Sequence, residues 1–104
     1  MGASNLIAMA VRISIIEDDE RLRRIFTGWL RRASDLELAG EFPNAESALE
    51  GMLSNPPDVV LTDINLPGMN GIDCVRSLKE RLPRTQFLML TVYEDAGMWF
   101  VNGK

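Results

Sequence analysis

Short apolar runs and amphipathic stretches alternate regularly along this chain. Val11-Arg12-Ile13-Ser14-Ile15-Ile16 is a run rich in β-branched residues and reads as a strand. Leu22, Ile25, Phe26, Trp29, Leu30 and Ala33 then recur in steps of three and four. That spacing predicts a helix with one apolar stripe, and it places Trp29 in the core. Leu36-Glu37-Leu38-Ala39-Gly40-Glu41-Phe42 alternates imperfectly, as a half-exposed edge strand does. Pro43-Asn44 breaks the run, and Asn44 is placed to cap a helix through Ala45, Ala48, Leu49, Met52 and Leu53. Asn55-Pro56-Pro57 ends that helix, and Val59-Val60-Leu61 follows as a central strand covered on both faces. Pro67 and Gly68 turn the chain, and Asn70 caps a third helix starting near Gly71. Ile72, Val75, Leu78 and Leu82 of that helix point inward, and Pro83 stops it. Gln86-Phe87-Leu88-Met89-Leu90 is a fourth strand ending at Thr91. Glu94 and Asp95 open a further helix, and Asn102-Gly103 reads as a turn.

The order strand, helix, strand, helix, strand, helix, strand predicts an α/β fold: a parallel sheet with helices on both faces. Two strand orders are common for such sheets. The flavodoxin-like order 2-1-3-4 sets the first and third strands side by side at the switch point, where ligands bind outside the carboxyl ends of the strands. The fourth strand ends this pattern and is left as an apolar edge prone to self-association. Trp99, Phe100 and Val101 are the residues available to cover it. Residues 1–10 read as a leader and 11–104 as one domain, in keeping with a length of 104 residues.

Charge and composition narrow the function. A net charge of −4 argues against nucleic-acid binding by bulk electrostatics. The absence of His removes the usual nucleophilic triads and His metal sites. A single cysteine, Cys74, forms no internal disulfide, sits in a predicted helix as a small buried thiol, and fits a reducing, cytoplasmic setting. The apolar stretch Leu6 to Ile16 is interrupted by Arg12 and is too short to span a membrane. Arg21, Arg23, Arg24, Arg31 and Arg32 fall mostly off the apolar stripe of the first helix. They read as a solvated face, with a docking surface for an acidic partner as the competing interpretation.

Candidate chemistry is acidic. Glu17-Asp18-Asp19-Glu20 directly follows the first strand. A helix N-terminus accounts for Asp19 and Glu20, because its dipole favours negative charge. Glu17 and Asp18 are left at the carboxyl end of one strand, and Asp63 stands at the carboxyl end of its neighbour. Alone, Asp63 reads as a solvated loop aspartate. Together, the three carboxylates repel and raise one another's pKa, and a hard divalent cation such as Mg²⁺ relieves the repulsion. A backbone carbonyl from Asn65 suits the same ion, Asp63 suits nucleophilic attack on a phosphoryl group, and Thr91 suits hydrogen bonding to a phosphoryl oxygen. No Gly-rich phosphate loop follows the first strand, against a nucleotide site of the usual kind.

Ile15-Ile16-Glu17-Asp18-Asp19, the run from Leu61-Thr62-Asp63 through Leu66-Pro67-Gly68-Met69-Asn70-Gly71, and Leu88-Met89-Leu90-Thr91 resemble the receiver domain of two-component response regulators. The resemblance covers about residues 11–96. The segment Leu36 to Phe42 is similar to the second strand of receivers with LuxR-type DNA-binding outputs. The resemblance implies a phosphoacceptor, not an enzyme, that controls an output such as transcription carried outside this chain. It implies Asp63 as phosphoacceptor, Asp18 as a direct Mg²⁺ ligand, Glu17 as its acidic partner (often through water), Asn65 as carbonyl ligand and Thr91 as switch hydroxyl. It also implies a histidine kinase or phosphotransfer protein as partner. The family's fifth strand, the lysine at its end and its last helix are missing here, and Lys104 follows no apolar strand. That departure keeps open a degenerate adaptor that binds partners without phosphorylation. An aspartyl-phosphate phosphatase fits less well, since its D-x-D-x-T run belongs after the first strand.

Overall fold

The computed structural model describes residues 10–63, 66, 71–93 and 98–103, with side-chain surroundings for those up to Leu90 other than Gly71. The elements are β1 (Val11–Ile16), α1 (Glu20–Arg32), β2 (Leu36–Phe42), α2 (Ala45–Ser54), β3 (Val59–Asp63), α3 (Gly71–Arg81), β4 (Gln86–Tyr93) and β5 (Met98–Gly103). Residues 1–9 of the predicted leader lie outside the described residues, as do Asn65, Asn70, Glu94, Asp95 and Lys104.

Local chemistry sets the helix starts. The carboxylate of Asp19 accepts hydrogen bonds from the backbone N–H groups of Arg21 and Leu22, which are among those left without a partner in the first turn of α1. Asn44 does the same for Ser47 at the start of α2. Arg31 and Arg32 in the last turn of α1 complement its dipole.

The strands lie in the order β2-β1-β3-β4-β5. The first four are parallel, as the flavodoxin-like order requires. In register, Ile16 pairs with Thr62 and Asp63 with Leu90. A bulge between Ile13 and Ser14 lets β2 keep pace with β1.

One expectation needs correcting. β4 is not an open edge, and Asn102 and Gly103 do not form a turn. Met98–Gly103 runs antiparallel along β4, with Tyr93 opposite Met98 and Leu88 opposite Gly103. The connection between Tyr93 and Met98 is too short for the crossover that a parallel strand needs, so an antiparallel return is what can satisfy the peptide groups along β4. A parallel fifth strand and a last helix, expected to be missing, are absent among the described residues, and the place beside β4 belongs to this antiparallel strand.

The core forms two clusters, one on each sheet face. Ile16, Val60 and Phe87 pack with Ala48 and Met52 of α2 and with Cys74, Val75 and Leu78 of α3. Ile13, Ile15 and Leu90 pack with Phe26 and Leu30 of α1. Among the described residues, two helices thus cover one face and a single helix covers the other. This explains why Trp29 is 55 % exposed and not in the core. Ile25 and Trp29 sit one residue, about a quarter turn, round from Phe26 and Leu30. Among the described residues no second helix stands beside α1, so that flank stays in solvent, and Trp29 meets Phe26 with ring centroids 5.7 Å apart. Ile72 and Leu53, expected inward, are likewise exposed, while their neighbours Val75, Leu78 and Met52 are buried.

Phe87 is among the largest fully buried side chains. Phe87→Ala is expected to cost about 3–5 kcal/mol, the lost transfer energy plus a cavity. Chemical denaturation measures this, and a loss below about 1 kcal/mol would show that the site collapses around the gap.

Candidate functional site

β1 and β3 are neighbours, and Ile16 pairs with Thr62. The next residues, Glu17 and Asp63, therefore reach the carboxyl end of the sheet side by side. Glu17 is held at three points. Its N–H donates to the carbonyl of Phe42 at the end of β2, 3.0 Å away. Its own carbonyl accepts from Nη1 of Arg23 at 2.7 Å. Its carboxylate accepts from the N–H of Asp19 at 3.1 Å. Asp18 follows, exposed, at the tip of this turn. On β3, the buried Thr62 donates its hydroxyl to the Asp63 carbonyl at 3.1 Å.

One carboxylate oxygen from each of Glu17, Asp18 and Asp63 lies within 4.8 Å of the other two. The three residues come from two segments that are remote in sequence, so the sheet alone assembles them. Glu17 is 2 % exposed. Its carboxyl is pushed up from 4.5 to about 8, first by burial and then by the Asp63 and Asp18 charges, against the opposing hydrogen bond from Asp19. The sequence reading assigned such a rise to mutual repulsion, but desolvation is the larger cause. A buried carboxyl that resists ionisation beside two further carboxylates is a site that a cation would stabilise. Three oxygen donors, one buried and one exposed, suit a hard divalent ion that keeps part of its water shell.

Asn65 lies outside the described residues. Thr91 is placed through its backbone: it stands on β4 one residue past Leu90, the partner of Asp63, and pairs with Phe100 of β5. Its side chain lies outside the described residues. Cys74 is buried, and its thiol is pushed up to about 11 by burial and by the Glu46 charge, which makes it a poor nucleophile. A cavity of about 400 Å³ lined by Pro56, Pro57, Arg81, Leu82, Pro83 and Arg84 lies at the opposite end of the sheet and has no part in the acidic cluster.

Arg23 and Glu41 are site neighbours that the sequence reading missed. Arg23 was grouped with the solvated arginines of the first helix, yet its side chain is only 17 % exposed and pairs with Glu41 at 3.4 Å. A signal was present. Arg23 precedes the buried Phe26 and Thr27 by three and four positions, so it lies on the sheet-facing side of α1.

A parallel α/β sheet with three carboxylates gathered at the ends of adjacent strands defines a receiver-type domain. The chain belongs to the response regulator receiver domain family, which it matches over residues 13–100. It is 32% identical over 85 residues to the transcriptional regulatory protein DegU of Brevibacillus brevis, covering 82% of this chain and 36% of that protein. It is 28% identical over 85 residues to the response regulator protein VraR of Staphylococcus saprophyticus, covering 82% of this chain and 41% of that protein. The chain thus spans less than half the length of these relatives. A crystal structure of a LuxR-family two-component response regulator from Aurantimonas sp. SI85-9A1 superposes with a TM-score of 0.76 at 24% identity, covering 82% of this chain and 61% of that one. That likeness bears on the fold. Among the described residues, no helix is long and apolar enough to cross a membrane.

Proposed function

We propose that this chain is a phosphoacceptor that takes a phosphoryl group onto Asp63 from a histidine kinase or phosphotransfer protein. The observation that carries this reading is the convergence of Glu17, Asp18 and Asp63 within 4.8 Å at the carboxyl end of the sheet. A carboxylate oxygen of Asp63 attacks phosphorus, a P–O bond forms, and the P–N bond to the donor imidazole breaks. The electron pair of that bond leaves with the imidazole nitrogen. With a small acyl phosphate as donor, the broken bond is P–O and the leaving group is a carboxylate.

Asp18 and Asp63 would hold Mg²⁺ directly, with the Asn65 carbonyl as a third ligand and Glu17 acting directly or through water. When bound, the ion supplies positive charge against which phosphoryl oxygens are neutralised. The protein's own contribution is positional: β1 and β3 present the carboxylates, and the clamp on Glu17 fixes the turn that carries Asp18. Thr91 is the switch hydroxyl in this reading, at the carboxyl end of the strand next to β3. Residues 11–104 act as the receiver unit, in the cytoplasm, and the output, transcription by analogy with DegU, is carried elsewhere.

The test is incubation with acetyl phosphate, with and without Mg²⁺, followed by intact-mass analysis under mild conditions. One labile phosphoryl group per chain should form with Mg²⁺, and chelation should reduce it to background. Equal labelling in the presence of chelator would sink the divalent-ion part of the proposal, and no labelling at all would favour the adaptor reading.

A further inference from the structure

Arg23 ties three elements together at the acidic turn. Its Nη1 donates to the Glu17 carbonyl at 2.7 Å, and its Nε faces Glu41 Oε1 at 3.4 Å. Glu41 precedes Phe42, whose carbonyl accepts from the Glu17 N–H at 3.0 Å. A ring therefore closes from Glu17 through Phe42 and Glu41 to Arg23 and back to Glu17. The guanidinium suits this place because its planar fork offers several donors in fixed directions. It bonds a carbonyl and a carboxylate at once, which a lysine ammonium at the same backbone position does less well.

The consequence runs through the peptide group. The Glu17–Asp18 peptide is planar, so holding its oxygen also fixes the N–Cα bond from which Asp18 departs. Asp18 is exposed, and the side-chain hydrogen bond it shares with the buried Glu17 carboxyl comes from the same clamped turn. Arg31 approaches Glu41 at 3.8 Å from the outside but makes no bond to the turn. We propose that Arg23 is a positioning residue for the cation site: by gripping the Glu17 carbonyl, it aims Asp18 toward Asp63. Arg23 touches neither the ion nor the phosphoryl group in this account. It acts through Asp18, and the inference rests on the reading of Glu17, Asp18 and Asp63 as a Mg²⁺ site.

The test titrates Mg²⁺ into the unphosphorylated protein and follows the backbone amide shifts of residues 17–19 and 63. Four variants are compared with the parent: Arg23→Gln, Arg23→Lys, Glu41→Gln and Asp18→Ala. Arg23→Gln should weaken Mg²⁺ about tenfold, the scale of lost outer partners at metal sites. Arg23→Lys should fall between it and the parent. Glu41→Gln removes the ion pair and leaves the bond to the Glu17 carbonyl, so its affinity should stay within about twofold, as a half-exposed ion pair contributes little. Thermal melting of every variant separates positioning from stability. Parent-like affinity in Arg23→Gln overturns the proposal. So does an affinity loss in Glu41→Gln as large as in Arg23→Gln, or losses that merely follow melting temperature across the set. If Arg23→Gln does not fold, Arg23→Lys decides alone, and unchanged affinity there overturns the proposal. Asp18→Ala tests the underlying reading: if it binds Mg²⁺ as the parent does, the acidic cluster is not the metal site and the failure is of that reading.

Discussion

Asp63→Asn should abolish phosphoryl transfer to this chain. The substitution keeps the volume and the strand geometry but exchanges a nucleophilic carboxylate for an amide, which makes no acyl phosphate. It also removes one charge from the cluster of Glu17, Asp18 and Asp63. The expected result is complete loss of the labile adduct with both acetyl phosphate and a histidine-phosphorylated donor. The fold should be kept, because asparagine has the size and shape of aspartate and the backbone carbonyl that accepts from Thr62 is unchanged. Intact mass with circular dichroism on the same sample reads both outcomes. An adduct that persists at parent level in a folded Asp63→Asn protein would move the acceptor to another residue and end the assignment.

Without divalent ions, the protein should lose stability as pH rises from about 4.5 toward about 8, and Glu17 is the cause. The folded carboxyl keeps its proton up to about 8, whereas in the unfolded chain it ionises near 4.5. Between these values the folded state binds the extra proton. The stabilising contribution is therefore complete below the unfolded pKa and lost as pH climbs through the folded one. Glu17→Gln mimics the protonated acid, so it should flatten this part of the profile. Its difference from the parent isolates Glu17 from the other carboxylates. Mg²⁺ competes with the proton, so its affinity for the parent should rise by up to about tenfold per pH unit below pH 8. In Glu17→Gln that slope should shrink. Melting curves across this range, with chelator and with Mg²⁺, provide the measurement. Parallel profiles for parent and variant would show that Glu17 is ionised in the folded protein throughout.

The exposed flank of α1 and the strand β5 show where linear patterns lose information. Spacing put Ile25 and Trp29 on the same apolar stripe as Phe26 and Leu30, and a helix between two neighbours would bury all four. Burial depends on what lies beside the helix, and one helix alone covers this sheet face among the described residues. Met98–Gly103 has an apolar centre with Asn and Gly at its end, which reads as a terminal scrap followed by a turn. It becomes a strand because β4 presents unpaired peptide groups within reach of a short connection. Neither fact lies within the six residues themselves.

By itself the sequence determined the order of the elements as far as β4, the cap at Asn44, the acidic helix start at Asp19, the parallel order of the first four strands, and the three carboxylates at strand ends. These are local properties or follow from the handedness and burial rules of parallel sheets. Tertiary structure decided the rest. It buried Glu17 and so made desolvation the main cause of its raised pKa. It drew Arg23 out of a run of apparently equivalent arginines and set it against the Glu17 carbonyl. It closed the edge of β4 with an antiparallel strand. In each case the outcome depends on which groups from distant segments share a low-dielectric space or a hydrogen-bonding edge, and spacing along a chain carries no record of that.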